Sequence, residues 1–229
     1  MLLKHKLRYI FNLLTHKINK TNRPPIIVSS MGRAGSTLLF QEIMKSLAKE
    51  RFPFLPLKLA RLLCHGTMWF PGNNLFKGFV HKTHVPENYF PRDTNTKIIY
   101  VFCKPSDSVL SVINVKSKSG KRWISEHFHN LKVKGDFEDL AYKDVLRLED
   151  HLKGWLSRKS NNLLIIRYEK IWEYKSEIEE FLNLKIDLPK FKLRRKLSNE
   201  AESLKEICKK TYAGLDKKVD NFSDFSILN

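Results

Sequence analysis

Residues 26–39 read IIVSSMGRAGSTLL, and no other stretch restricts the fold of this chain so strongly. A short, apolar, β-branched run of this kind belongs to a strand buried on both faces. It passes through a turn at Met31-Gly32-Arg33-Ala34-Gly35 into a helical pattern that opens at Ser36-Thr37 and continues through Leu38, Leu39, Ile43, Met44 and Leu47. A strand, a glycine-containing loop and a helix in that order start a parallel sheet with right-handed crossovers. Further strands are expected at 78–82, 97–102 and 163–168. Helices are expected after Pro105, from about 137 to 159, through Ile178, Phe181 and Leu182, and from about 199 to 212. The reading is an α/β fold: a single domain with a central parallel β-sheet flanked by helices. With 42% apolar residues in 229, one such core can be filled, and no apolar run is long enough to span a membrane.

Residues 1–25 stand apart as a basic amphipathic N-terminal segment. They carry Lys4, Lys6, Arg8, Lys17, Lys20 and Arg23 without an acid, and Leu3, Leu7, Ile10, Phe11, Leu14 and Ile18 recur at three- and four-residue steps. Such a helix either packs its apolar face on its own domain or makes peripheral membrane contact through residues 1–20. Charges interrupt the apolar run, and no small-residue cleavage site follows, so a secretory signal is not expected. Over the whole chain 42 Lys and Arg face 24 Asp and Glu, a net +18 that favours anionic partners. Cys64, Cys103 and Cys208 are odd in number and far apart, which argues against a disulfide framework and a bound metal. The expected setting is cytoplasmic, with membrane-peripheral contact as an addition.

The loop after the first strand offers backbone N–H groups and a helix N-terminus to an anion. An ordinary turn with a Ser or Thr cap would look similar. A nucleoside-triphosphatase loop would place a lysine directly after its last glycine; here Ser36 follows Gly35, and the basic residue, Arg33, precedes it. These residues disfavour ATP hydrolysis.

Ser30-Met31-Gly32-Arg33-Ala34-Gly35-Ser36-Thr37-Leu38-Leu39 resembles the 5′-phosphosulfate loop of sulfotransferases that use 3′-phosphoadenosine 5′-phosphosulfate (PAPS), with Gly32 for a frequent proline and Ala34 for a frequent serine. Three more segments follow in the family's order. Lys82-Thr83-His84-Val85-Pro86 is similar to K-T/S-H-x-P. Residues 98–111, ending in CKPSDSVLS, are similar to the 3′-phosphate segment. Arg167-Tyr168-Glu169, with IEEFLNL at 178–184, resembles R-Y-E-D-L and F-L-G-L. The resemblance implies that residues 26–229 form a sulfotransferase-like α/β domain, P-loop-containing and nucleotide-binding-like, an enzyme moving the sulfuryl group of PAPS to a hydroxyl acceptor and releasing PAP. No metal is implied.

Sulfuryl transfer, like phosphoryl transfer, rests on in-line positioning and charge stabilisation. The resemblance assigns Arg33 and the Ala34-Gly35-Ser36-Thr37 backbone to the phosphosulfate. His84 is its general base, with an unperturbed pKa near working pH. Lys82, two residues earlier on an extended strand end, projects to the same side and supplies a cation; His81 faces the other way as a structural residue. Ser111 is assigned to the 3′-phosphate. The family's arginines correspond to Cys103 and Ser106, which leaves Lys104 as the nearest cation. Tyr168 matches a tyrosine contacting adenine, while Leu38 replaces a stacking tryptophan. A basic stretch, Gly214 to Lys218, is read as a loop able to close over the nucleotide, and Trp69, Phe70, Trp123 and Trp155 as acceptor-pocket aromatics. The partner is a small-molecule or glycan acceptor. A P-loop-type small-molecule kinase and a basic nucleic-acid-binding domain are the alternatives; the missing lysine argues against the first. No RNP-type or zinc-finger motif supports the second.

Overall fold

A computed structural model describes residues 7, 10–16, 21–66, 75–90, 95–191 and 196–228. Among the described residues, five strands form one sheet in the order β2-β1-β3-β4-β5. β1 (Ile26–Ser30) lies at its centre, buried along its whole length, as the unbroken apolar run requires. It pairs in parallel with β2 (Val80–Thr83) and with β3 (Lys97–Phe102), and β3 pairs in parallel with β4 (Leu163–Arg167). β5 (Phe225–Leu228) then runs antiparallel to β4, so the sheet is mostly rather than wholly parallel.

Helices complete both layers: α1 (Ser36–Arg51), α2 (Leu57–Cys64), α3 (Pro105–Leu131), α4 (Leu148–Ser157), α5 (Lys175–Leu182), α6 (Asn199–Ser203) and α7 (Lys205–Asp220). Leu39, Ile43 and Leu47 of α1 belong to one continuous buried core with Ile27, Val28, Ile99 and Val101 of the sheet. The long helix α3 is interrupted at Gly120, which has φ 72°. Among the described residues, no helix is long and apolar enough to cross a membrane.

Two expectations change. The single helix expected over 137–159 is a 3₁₀ turn at Phe137–Asp139, a looped stretch and then α4. Asp144 is the reason: its carboxylate accepts from the N–H groups of Leu148 (2.9 Å) and Glu149 (3.0 Å), capping a new helix instead of continuing an old one. The stretch Gly214–Lys218 is no loop. It lies inside α7, where a Cβ on Gly214 would meet nothing within 4 Å, so the glycine is a tolerated surface position.

The N-terminal helix also departs from its pattern. Residues 10–16 are helical, but Asn12 and Thr15 are the buried ones, while Leu7, Ile10 and Leu14 face outward. Among the described residues, Leu7, Ile10 and Leu14 of the apolar stripe are not covered by the domain.

Candidate active site

The C-terminal ends of β1 and β2 converge on a cavity of about 930 Å³. Ligand sites in open α/β sheets lie at this edge. The loop between β1 and α1 is built for an anion. Gly32, Arg33 and Gly35 have φ of 86°, 49° and 80°, left-handed values that curl successive backbone N–H groups into a concavity. α1 then starts without a side-chain cap and without an acid in its first turn, which leaves its positive end uncompensated. Gly35 is also required sterically, since a Cβ there would lie 2.0 Å from the Tyr168 ring.

Arg33 reaches across the opening. Its Nε donates to Ser111 Oγ at 3.1 Å, and its guanidinium lies 5.7 Å from the Trp123 ring centre. Two residues assigned separately in the sequence, one in the loop and one in α3, thus meet directly. Ser36 turns its hydroxyl inward to Ser30 Oγ (2.8 Å), while Thr37 stays exposed on the lining. Ala34 is fully buried and does not line the cavity.

His84 sits with Nδ1 at 3.1 Å from the Ser30 carbonyl oxygen and Nε2 at 3.0 Å from Lys82 Nζ. A carbonyl only accepts and an ammonium only donates, so the proton is on Nδ1 and the lone pair on Nε2. Burial, followed by the nearby Lys82 and His127, holds this imidazole well below its ordinary pKa, so it is neutral. Burial and then Arg33 lower Lys82 to about 8. Beneath them, His151 Nε2 donates to the His84 carbonyl oxygen (3.0 Å), and Tyr100 OH donates to His151 Nδ1 (3.0 Å), which fixes the turn that carries His84. His81 points into the core, and burial lowers it to about 3.

Tyr168 lines the cavity beside Gly35, and Leu38 lines it where a tryptophan was expected in the family pattern. Lys104 does not join this group. Its ammonium pairs with Asp220 at 2.7 Å and lies outside the lining. The N-terminus of α3 is likewise occupied from within, because Asp216 accepts from Ser106 N (3.1 Å) and Ser106 Oγ (2.5 Å). Lys217 and Lys218 are also off the lining, and Lys218 pairs with Glu149. Of the four aromatics, Trp123 lines the cavity and Trp155 is a core residue stacked on Tyr100; Trp69 and Phe70 lie outside the described residues.

Sequence reasoning missed Lys205 and Lys209, which bring two cations to the lining from α7, and His127 on α3. The signal was available in part: Lys205 and Lys209 are four apart in a helical pattern and share a face. His127 likewise stands four residues after Trp123, and the two rings stack at 4.8 Å. Among the described residues, no group of three His, Cys, Asp or Glu is arranged to hold a metal ion.

A family model for the sulfotransferase domain matches residues 23–220. Among curated proteins, none matches the chain by sequence. Among solved structures, retinol dehydratase in complex with retinol and PAP is 16% identical, with 88% of this chain and 68% of that one covered and a TM-score of 0.48. The same enzyme with androsterone and inactive cofactor PAP is 15% identical, with coverage of 96% and 75% and a TM-score of 0.47. A mouse sulfotransferase complexed with PAP is 18% identical, with coverage of 87% and 68% and a TM-score of 0.44.

Proposed function

Given that the chain belongs to the sulfotransferase domain family, we propose that it moves the sulfuryl group of PAPS to the hydroxyl of a small molecule, with His84 as the base. The observation that carries this reading is the locked tautomer of His84, whose basic Nε2 faces Lys82 in the cavity that Arg33 and the loop of left-handed residues also border.

PAPS, when bound, supplies the sulfuryl group and a phosphate leaving group on which charge grows as the S–O bond breaks. The residues fit such a group: an uncapped helix N-terminus, a curled loop and two cations border the same space. Arg33 and the backbone N–H groups of Ser36 and Thr37 hold the 5′-phosphosulfate, where donors placed in advance cost no reorganisation as charge develops. Lys82 carries the second positive charge. Nε2 of His84 takes the acceptor's proton, and its Nδ1–H stays on the Ser30 carbonyl throughout. Tyr168 lies against the adenine. Ser111 holds the 3′-phosphate together with Lys205 and Lys209. These two line the cavity, where their ammoniums pair with Glu202 (2.9 Å) and Glu206 (3.0 Å) on the same helical stretch, whereas Lys104 is held off the lining by Asp220. The acceptor is an alcohol or phenol seated among Leu110, Val115, Trp123 and Leu197. The three cysteines form no disulfide, which supports a cytoplasmic setting.

The test is incubation with PAPS labelled in its sulfur, over a panel of alcohols and phenols, read as label and mass gain on the acceptor. Wild type transfers label. His84→Ala keeps PAP binding by calorimetry and loses on the order of 10²–10⁴-fold in kcat. Undiminished turnover in that variant removes His84 from the base role.

A further inference from the structure

The N-terminal part of the chain has a distribution of charge and exposure that sulfuryl transfer does not use. Residues 1–86 hold fourteen Lys and Arg against two acids, Glu42 and Glu50, so they contribute +12 of the +18. No acid falls between Glu50 and Glu87. On this basic background apolar side chains face solvent in two places. In the N-terminal helix, Ile10 and Leu14 are 51% and 58% exposed, and Leu7 and Leu13 are exposed beside them. Asn12 and Thr15 are turned inward, the reverse of a helix that packs on its own domain. In the second place, Phe54 is 98% exposed and is followed by exposed Leu55, Leu57 and Leu59. α2 buries only Ala60 and Cys64 and interleaves its leucines with Lys58 and Arg61.

Both segments sit at the same edge of the sheet. His16 packs on Phe76 with ring centres 5.2 Å apart, and Gly78 N donates to the Arg23 carbonyl oxygen, just before β2. α2 leads into His65, which bridges Val80 in β2, and Gly66 N donates to the Val80 carbonyl oxygen at 2.7 Å. β2 is the edge strand.

We infer that this edge, formed by the N-terminal helix and by residues 54–61, docks the protein on an anionic phospholipid surface. Exposed Leu, Ile and Phe side chains gain by entering the boundary between headgroups and acyl chains, while Lys and Arg gain at the headgroups. A second copy fits this face badly, because Lys58 and Arg61 of each would be brought together with no acid in residues 51–86 to answer them. A nucleic acid would answer the charge and leave the leucines and Phe54 in water. The inference stands apart from the assignment of the transfer reaction, since none of these side chains lines the cavity.

The experiment is co-sedimentation of the full chain with vesicles of phosphatidylcholine alone and of phosphatidylcholine with phosphatidylserine, at low and physiological salt. Wild type sediments with the phosphatidylserine vesicles, less so as salt rises, and stays largely in the supernatant with phosphatidylcholine. Phe54→Glu with Leu59→Glu, Lys58→Glu with Arg61→Glu, and Ile10→Glu with Leu14→Glu each lower the partition by on the order of tenfold or more. Thermal unfolding of these variants matches wild type, because the substituted side chains lie at the surface. Three results overturn the inference: wild type in the supernatant with both vesicles, variants that sediment like wild type, or a dimer on size exclusion that Phe54→Glu with Leu59→Glu turns into a monomer.

Discussion

Acidifying this protein from pH 7.5 to 5.5 removes a large part of its stability, and buried histidines are the cause. His81 and His127 are held at about 3 and His151 at about 4, in each case by burial first. His127 also faces Arg33 and Lys82, and His81 faces His65. All three native values lie below the 6.5 of an imidazole in the unfolded chain. Above pH 6.5 neither state is protonated and stability is complete. Below it the unfolded chain takes up protons that the native state refuses, so stability falls as pH drops from 6.5 towards the native values. At pH 5.5 each group costs about 1.4 kcal/mol, since one pH unit below an unfolded pKa is worth that much. Three groups cost about 4 kcal/mol, against a typical total of about 5–15. His84 shifts in the same direction and adds to the loss. Carboxylates contribute little here, because in the unfolded chain they remain mostly ionised at pH 5.5. The measurement is urea unfolding at pH 7.5, 6.5 and 5.5, on wild type and on His151→Gln, a residue with no ionisable ring. The variant should be less stable at pH 7.5 but lose about 1.4 kcal/mol less on acidification. A wild-type free energy that changes by less than about 1 kcal/mol over this range refutes the reasoning, because a native state that accepts these protons does not bury the rings as described.

Four other outcomes are expected. Gly35→Ala needs a left-handed φ that costs about 1–2 kcal/mol for a side chain, and its Cβ strikes the Tyr168 ring; calorimetry should show PAP affinity largely lost. Turnover should fall above pH 8 as Lys82 gives up its proton, and Lys82→Arg should move that limb upward; an unmoved limb assigns it to another group. Lys205→Ala with Lys209→Ala should narrow the preference for PAP over adenosine 5′-phosphate, at roughly 1.5–3 kcal/mol per charged hydrogen bond lost, whereas Lys104→Ala should leave it unchanged; the opposite pattern returns the 3′-phosphate to Lys104. Turnover should persist in EDTA, and strict dependence on added Mg²⁺ would favour phosphoryl transfer from ATP.

What the sequence made legible was local. The run Ile26–Ser30 and the glycines after it specify a buried parallel strand and a tight loop by themselves, and the spacing of Lys82 and His84 puts both side chains on one side of a strand end. What it hid depended on partners remote in the chain. Lys104 reads as a spare cation until Asp220, 116 residues later, takes it. Ser106 stands where the family has an arginine, and its role shows only once Asp216 accepts from its backbone N–H and its hydroxyl. The four residues of β5 have too little pattern to announce a strand, which exists only because β4 has an open edge to receive it. The helix expected over 137–159 failed for a nearer reason, a single aspartate whose side chain serves two backbone N–H groups better than another helical turn would. Lys205 and Lys209 could be placed on one helix face, but not against a cavity formed by β1, β2 and α3.

The antiparallel strand β5 also bears on how the chain is made. A ribosome releases β1 first, and β2, β3 and β4 can then each pair with a strand already present, whereas the far side of β4 waits for residues 225–228. Until then β4 presents a bare row of N–H and C=O groups, and Arg167, at its end, lacks both Asp220 and Asp224. A nascent chain paused shortly before this strand is therefore a nearly finished sheet with one adhesive margin, the form in which chains of this kind stick to one another or need a chaperone's cover.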